Sequence, residues 1–169
     1  MTSRKAGGLE IGEDLEFERR SWVVQRVGWA LMAVVILAAL GGVFGAGPLS
    51  STRAASSSGL VWIEYERFGR FKSPYTLRVH FDPQAIGKGS IRFWIDRAYL
   101  DEMRPERILP EPHKVEIAAQ RLLYEFPAAA GAGPGVITFE LKPNTFGRIE
   151  GRLGLDGGDE LRFGHLVYP

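Results

Sequence analysis

The chain has 169 residues, room for one ordinary domain plus a short appended element, and it contains no cysteine. Disulfides, thiolate nucleophiles and cysteine-ligated metals are therefore excluded. Basic residues number 21 and acidic residues 20. That balance, without a basic stripe, argues against nucleic acid as a partner.

Residues 1–21 read as a polar, disordered tail, with Gly7, Gly8 and Gly12 among mixed charges. Within it, Leu15 to Arg20 has the composition to extend a following helix. Residues 22–46 predict a transmembrane helix. Its core is the uncharged run VGWALMAVVILAALGGVFGA, from Val27 to Ala46. Twenty such residues at 1.5 Å rise span roughly 30 Å, the thickness of a bilayer's hydrocarbon layer. Nine of them are Val, Leu, Ile or Phe, together worth roughly −4 kcal/mol on insertion. One central Arg, at about +3 kcal/mol, would cancel most of that, and none is present.

Arg19, Arg20 and Arg26 precede the run, and only Arg53 lies in the corresponding stretch after it. This asymmetry predicts a cytoplasmic N-terminus and a periplasmic remainder, with Arg19, Arg20, Trp22 and Arg26 as membrane-boundary anchors. The alternative, a signal cleaved near Ala54 or Ala55, fits less well. The preceding tail is long and carries Glu10, Glu13, Asp14, Glu16 and Glu18, whereas a secretory leader starts short and basic. Gly41 and Gly45 form a small-xxx-small pair suited to packing against another helix, though a helix rich in Ala and Gly also yields such pairs by chance.

Residues 47–59, which contain Ser, Gly and Pro without periodicity, are expected to be a flexible linker. From residue 60 to 169 the pattern changes to short alternating segments. Leu60 to Arg67 reads as a central strand, apolar on both faces at first. Tyr75, Leu77, Val79 and Phe81 alternate with Thr76, Arg78 and His80 until Asp82-Pro83 stops them. Ile91, Phe93 and Ile95 alternate with Arg92 and Trp94. Arg97 to Met103 suggests one helical turn ended by Pro105, and Pro110 and Pro112 an edge or exposed segment. Between Val115 and Phe126 the alternation slips phase, which a bulge or two strands meeting near Ala119-Gln120 would explain. Ile137, Phe139 and Leu141 mark another strand. Ile149, Gly151, Leu153 and Leu155 then pair with Leu161, Phe163 and Val167 across an Asp156–Asp159 turn. Seven or eight strands in this length predict an all-β fold: an immunoglobulin-like sandwich, or alternatively a small closed barrel.

Signals for chemistry are few. His80, His113 and His165 lack metal-ligand spacing, and His165 has the parity of a satisfied core residue. No serine occupies a GxSxG elbow. GAGPG at Gly131 to Gly135 lacks the Lys-Ser/Thr ending of a phosphate loop and reads as a turn. Glu64 and Glu66 share a strand face, and Arg67 and Arg70 are their expected partners. We therefore expect no catalytic, cofactor or metal residues. The aromatic and basic segment YERFGRFKSPY supplies the candidate partner surface: Tyr65, Arg67, Phe68, Arg70, Phe71 and Tyr75. The competing reading is a strand end whose aromatics pack into the core.

The stretches Tyr65 to Phe68 with Arg70 and Pro74, AYLDEM, ILPEP and the final LVYP resemble uncharacterised bacterial single-pass inner-membrane proteins with an outward-facing β-domain. The resemblance covers Gly59 to Pro169. It implies the bacterial inner membrane and association with a polytopic membrane protein, and it assigns no reaction. The resulting expectation is a non-enzymatic accessory module whose partners are the lipid bilayer and another membrane protein or a second copy. A periplasmic small-ligand sensor is the alternative, and an envelope hydrolase a remote third.

Overall fold

A computed structural model describes residues 15–41, 50–87, 89–128, 135–158 and 160–169. The chain divides into two units, Met1–Ala38 and Ala39–Pro169. In the first, helix α1 runs from Leu15 to Leu40. Its start lies inside the stretch expected to be tail. From Arg20 to Leu40 the mean hydropathy is 2.0, and every side chain is exposed except the half-buried Ala38. The apolar residues surround the axis instead of forming a stripe, the composition of a helix with apolar surroundings on all sides. Arg26 folds back one turn to place its guanidinium 3.5 Å from the Trp22 ring centroid. The chain thus has one N-terminal apolar helix long enough to cross a membrane.

The second unit is mostly β. Its strands are β1 (Ser51–Ala55), β2 (Val61–Glu66), β3 (Phe68–Arg70), β4 (Tyr75–Phe81), β5 (Ser90–Asp96), β6 (Met103–Leu109), β7 (Lys114–Ile117), β8 (Arg121–Pro127), β9 (Val136–Pro143), β10 (Gly147–Leu155) and β11 (Glu160–Tyr168). The short helix α2 (Arg97–Glu102) joins β5 to β6. One sheet has the order β1-β2-β4-β9-β6, the other β3-β11-β10-β5-β8-β7. Every pair is antiparallel except β3 with β11.

The alternating apolar residues turn inward and the two sheets share one core. Phe81 of β4 meets Phe93 of β5 with ring centroids 5.0 Å apart, and Phe139 of β9 stands edge-on to Tyr124 of β8 at 5.5 Å. Leu77, Val79, Phe93, Ile95 and Phe139 are completely buried. Such offset and edge-to-face contacts add to what apolar burial alone contributes.

The structure departs from the sequence reading at particular points. Ser51–Ala55, expected within the linker, is strand β1, paired along its length with β2. Its inward residue Ala54 packs against the core opposite Ile63, and side chains this small give no alternation signal. Pro105 is also not what ends the helical turn, which closes at Glu102 before the chain passes into the sheet. The chain continues as β6, an edge strand, where proline's missing N–H is tolerated, and its register shifts between Pro105 and Arg107. The slip between Val115 and Phe126 is two strands, β7 and β8, closed by Ala118 N–H donating to Arg121 C=O at 2.9 Å. Trp94, expected on a polar face, is only 6 % exposed because the Arg121 guanidinium lies 3.8 Å from its ring centroid.

Candidate functional site

The segment proposed as a partner surface spans the end of β2, all of β3 and the start of β4. The structure divides it. Arg67 and Arg70 are exposed, while Tyr65, Phe68 and Phe71 are half-buried. Tyr75 is 3 % exposed and belongs to the core, so it is not part of any surface. Tyr65 leans on Phe163 and His165 with ring centroids 5.6 and 5.2 Å away. Period-two alternation already put Tyr75 in phase with Leu77 and Val79, and its neighbouring charges masked that signal.

What remains outside is basic and joins a second loop. Phe71 meets Phe146 edge-on at 6.4 Å, and Phe146, in the β9–β10 turn, is 67 % exposed. Lys72 between them has φ +59°, a left-handed conformation that costs an ordinary side chain strain. Its Nζ lies 5.1 Å from the Phe71 ring centroid. Phe146 was missed because a single aromatic after Pro-Asn-Thr carries no periodic signal.

Beneath this end lies a buried polar network. His165 of β11 is 2 % exposed. Its Nδ1 lies 2.7 Å from the Tyr75 hydroxyl and 2.9 Å from the Glu66 carbonyl, and its Nε2 lies 3.0 Å from the Tyr99 hydroxyl. Tyr75 also accepts from the Glu66 N–H at 2.9 Å and donates to the Glu66 carbonyl at 2.6 Å. The tautomer follows. The Glu66 carbonyl can only accept, so Nδ1 carries the ring hydrogen and donates to it, which leaves Nε2 to accept from the Tyr99 O–H. Burial lowers the His165 pKa to about 4 against the raising effect of the Glu66 carbonyl, so the ring is neutral at ordinary pH. Desolvation pushes both tyrosine hydroxyls well above their usual range. The network joins β2, β4, α2 and β11, and with both ring nitrogens engaged it leaves no free base for proton transfer.

The outward faces carry ion pairs. On the second sheet an open depression of about 690 Å³ is lined by Arg148, Arg152 and Arg162 among others. Each of these already has a carboxylate: Glu150 at 2.9 Å, Asp96 at 3.1 Å and Glu160 at 3.2 Å. On the first sheet, Glu64 pairs with Arg53 of β1 at 2.7 Å and lies 3.5 Å from His80 Nε2. Partial burial raises the Glu64 pKa, but Arg53 and His80 outweigh it and the net shift is downward. The expected partners of Glu64, Arg67 and Arg70, lie elsewhere, and Arg67 donates to Thr52 Oγ1 instead. His80 stacks on Trp62 at 5.3 Å, and His113 is exposed. Among the described residues no group of three or more His, Asp or Glu is placed to hold a metal ion.

Of the helix residues singled out, Arg20, Trp22 and Arg26 are exposed on α1, and Arg19 lies in its backbone span. Gly41 follows the helix in a turn, whereas Gly45 lies outside the described residues, as does the GAGPG stretch apart from Gly135. No family model matches the chain, and no curated protein matches it either.

Proposed function

We propose that this chain is a non-enzymatic interaction module held on the outer face of the bacterial inner membrane, its N-terminus cytoplasmic and its β-domain periplasmic, working beside another membrane protein. The observation that carries this reading is α1, whose exposed apolar surface over Arg20–Leu40 calls for hydrocarbon around it. The basic residues before the span support the orientation. Tethering supplies the mechanism, since confinement to the membrane raises the domain's effective concentration near a partner without strong intrinsic affinity. Two facing, mostly antiparallel sheets with a common core favour the immunoglobulin-like class within this proposal. The likeness to bacterial single-pass proteins agrees with it.

The alternative, a small-ligand sensor, draws on the depression beside Arg148. Its openness and the prior pairing of all three arginines favour the interaction reading. The test is fractionation of the full chain with carbonate extraction, followed by protease treatment of spheroplasts and crosslinking in mild detergent. Retention in the membrane, digestion of the β-domain from outside and a crosslinked partner are expected. A chain released by carbonate, protected from external protease, or strictly solitary overturns the corresponding part.

A further inference from the structure

The chain enters the β-domain at Ser50, where exposed basic and apolar side chains meet. Ser50 C=O accepts from Arg67 N–H at 2.7 Å, and Arg67 C=O accepts from Leu166 N–H at 2.7 Å. Phe71 N–H donates to Tyr168 C=O and Lys72 N–H to Pro143 C=O. These bonds gather the β3–β4 loop, the β9–β10 turn and the end of β11 at the end of the domain where the chain comes in.

Phe146 and Leu166 are 67 % and 49 % exposed there. Arg67, Arg70 and Lys72 surround them, all exposed, and none forms an ion pair with a described residue. Arg148, Arg152 and Arg162 on the second sheet each have a carboxylate, whereas Arg78 of β4 and Arg104 and Arg107 of β6 are, like these cations, exposed and without an ion pair among the described residues. The loops at the opposite end carry Asp82, Glu111 and Asp156 among the described residues. The entry end also carries the exposed carboxylates Asp101 and Glu102 of α2, the Glu102 carbonyl accepting from Asn144 N–H, so its basic character is concentrated in the segment from Arg67 to Lys72. Lys72 is held at φ +59° in this turn, where Gly or Asn would be less strained.

We propose that this end of the domain rests on the anionic headgroup surface of the bilayer, Phe146 and Leu166 seated among the headgroups and Arg67, Arg70 and Lys72 on lipid phosphates. Aromatic rings favour this interfacial depth, and clustered cations are drawn to anionic lipid within a Debye length. Only residues 42–49 separate Gly41 from Ser50, so this is the end of the domain with the shortest tether to the helix. The inference rests on the reading of α1 as a membrane span.

The absence of cysteine makes a clean experiment possible. Full-length Phe146→Cys, Leu166→Cys, Gln84→Cys and Met32→Cys variants are labelled with an environment-sensitive fluorophore. They are then reconstituted into phosphatidylcholine vesicles with or without phosphatidylglycerol, each carrying headgroup-depth or chain-depth spin-labelled lipid. Gln84 is exposed at the acidic end and serves as the reference. With phosphatidylglycerol, probes at 146 and 166 are expected to be quenched several-fold more by headgroup-depth spin labels than the probe at 84. High salt, or Arg67→Gln with Arg70→Gln and Lys72→Gln, removes the difference. If the probe at 32 is quenched at chain depth while those at 146 and 166 match 84, the docking is wrong and the membrane span stands. A blue-shifted but unquenched probe at 146 indicates a protein contact and also overturns the docking. No quenching at 32 overturns the span itself, and the docking with it.

Discussion

His165 shows how a buried titratable side chain makes stability depend on pH. Its pKa is about 4 in the folded domain and near 6.5 when unfolded. Between those values the unfolded chain binds a proton that the folded one refuses, so stability falls as pH drops from about 6.5 to 4 and this contribution levels off below. The full effect is about 3 kcal/mol. Full-length protein and His165→Gln, compared by urea unfolding across this range in detergent, should differ in slope, the variant being flatter. A parallel slope would show that His165 takes up its proton as readily in the folded as in the unfolded chain. Gly151 makes a sharper steric case. A Cβ there would lie 2.7 Å from both Phe163 Cζ and Tyr99 Cδ2, two ring atoms walled in by the core. Gly151→Ala should cost roughly 1–3 kcal/mol by overpacking, read as a lower urea midpoint with unchanged m.

At the scale of elements, β1 offers a direct test of linker against strand. Ala54→Asp would be silent in a flexible tether. In a strand whose Ala54 packs opposite Ile63 it should cost roughly 1–3 kcal/mol by pressing a carboxylate on the core, again seen in the urea midpoint. Strands whose inward side chains are large were legible beforehand. β4, β5, β9 and the β10–β11 pair follow directly from alternating Leu, Ile, Val and Phe, and α2 from the run before Pro105. β1 was not legible, because Ala and Thr pack without an apolar signature and its pairing with β2 rests on backbone bonds and the Arg53–Glu64 ion pair. β6 was hidden by prolines that an edge strand accepts. Of the candidate surface, Arg67 and Arg70 were legible as exposed. The inward place of Tyr75 was legible in its phase with Leu77 and Val79, but its hydrogen bond to a histidine 90 residues away was not, because local spacing cannot encode it.

At the scale of the whole molecule, the buried core of the β-domain contains, among the described residues, none from α1. A charge placed in the helix should therefore change where the chain resides without changing how its domain unfolds. Val35→Arg adds about 3 kcal/mol to insertion, enough to shift much of the protein out of the carbonate-resistant fraction. The domain's unfolding midpoint in detergent should stay within about 0.5 kcal/mol of the parent, as surface substitutions do. Strand β11 has a different consequence, one of timing. It lies between β3 and β10 in the second sheet and brings His165 to Tyr75 and Tyr99. On the ribosome, both neighbouring strands wait with bare edges and the two hydroxyls lack their imidazole until Glu160–Tyr168 has been made. The second sheet is thus completed only once this strand has emerged, and until then the open edges of its two neighbours are exposed to mispairing.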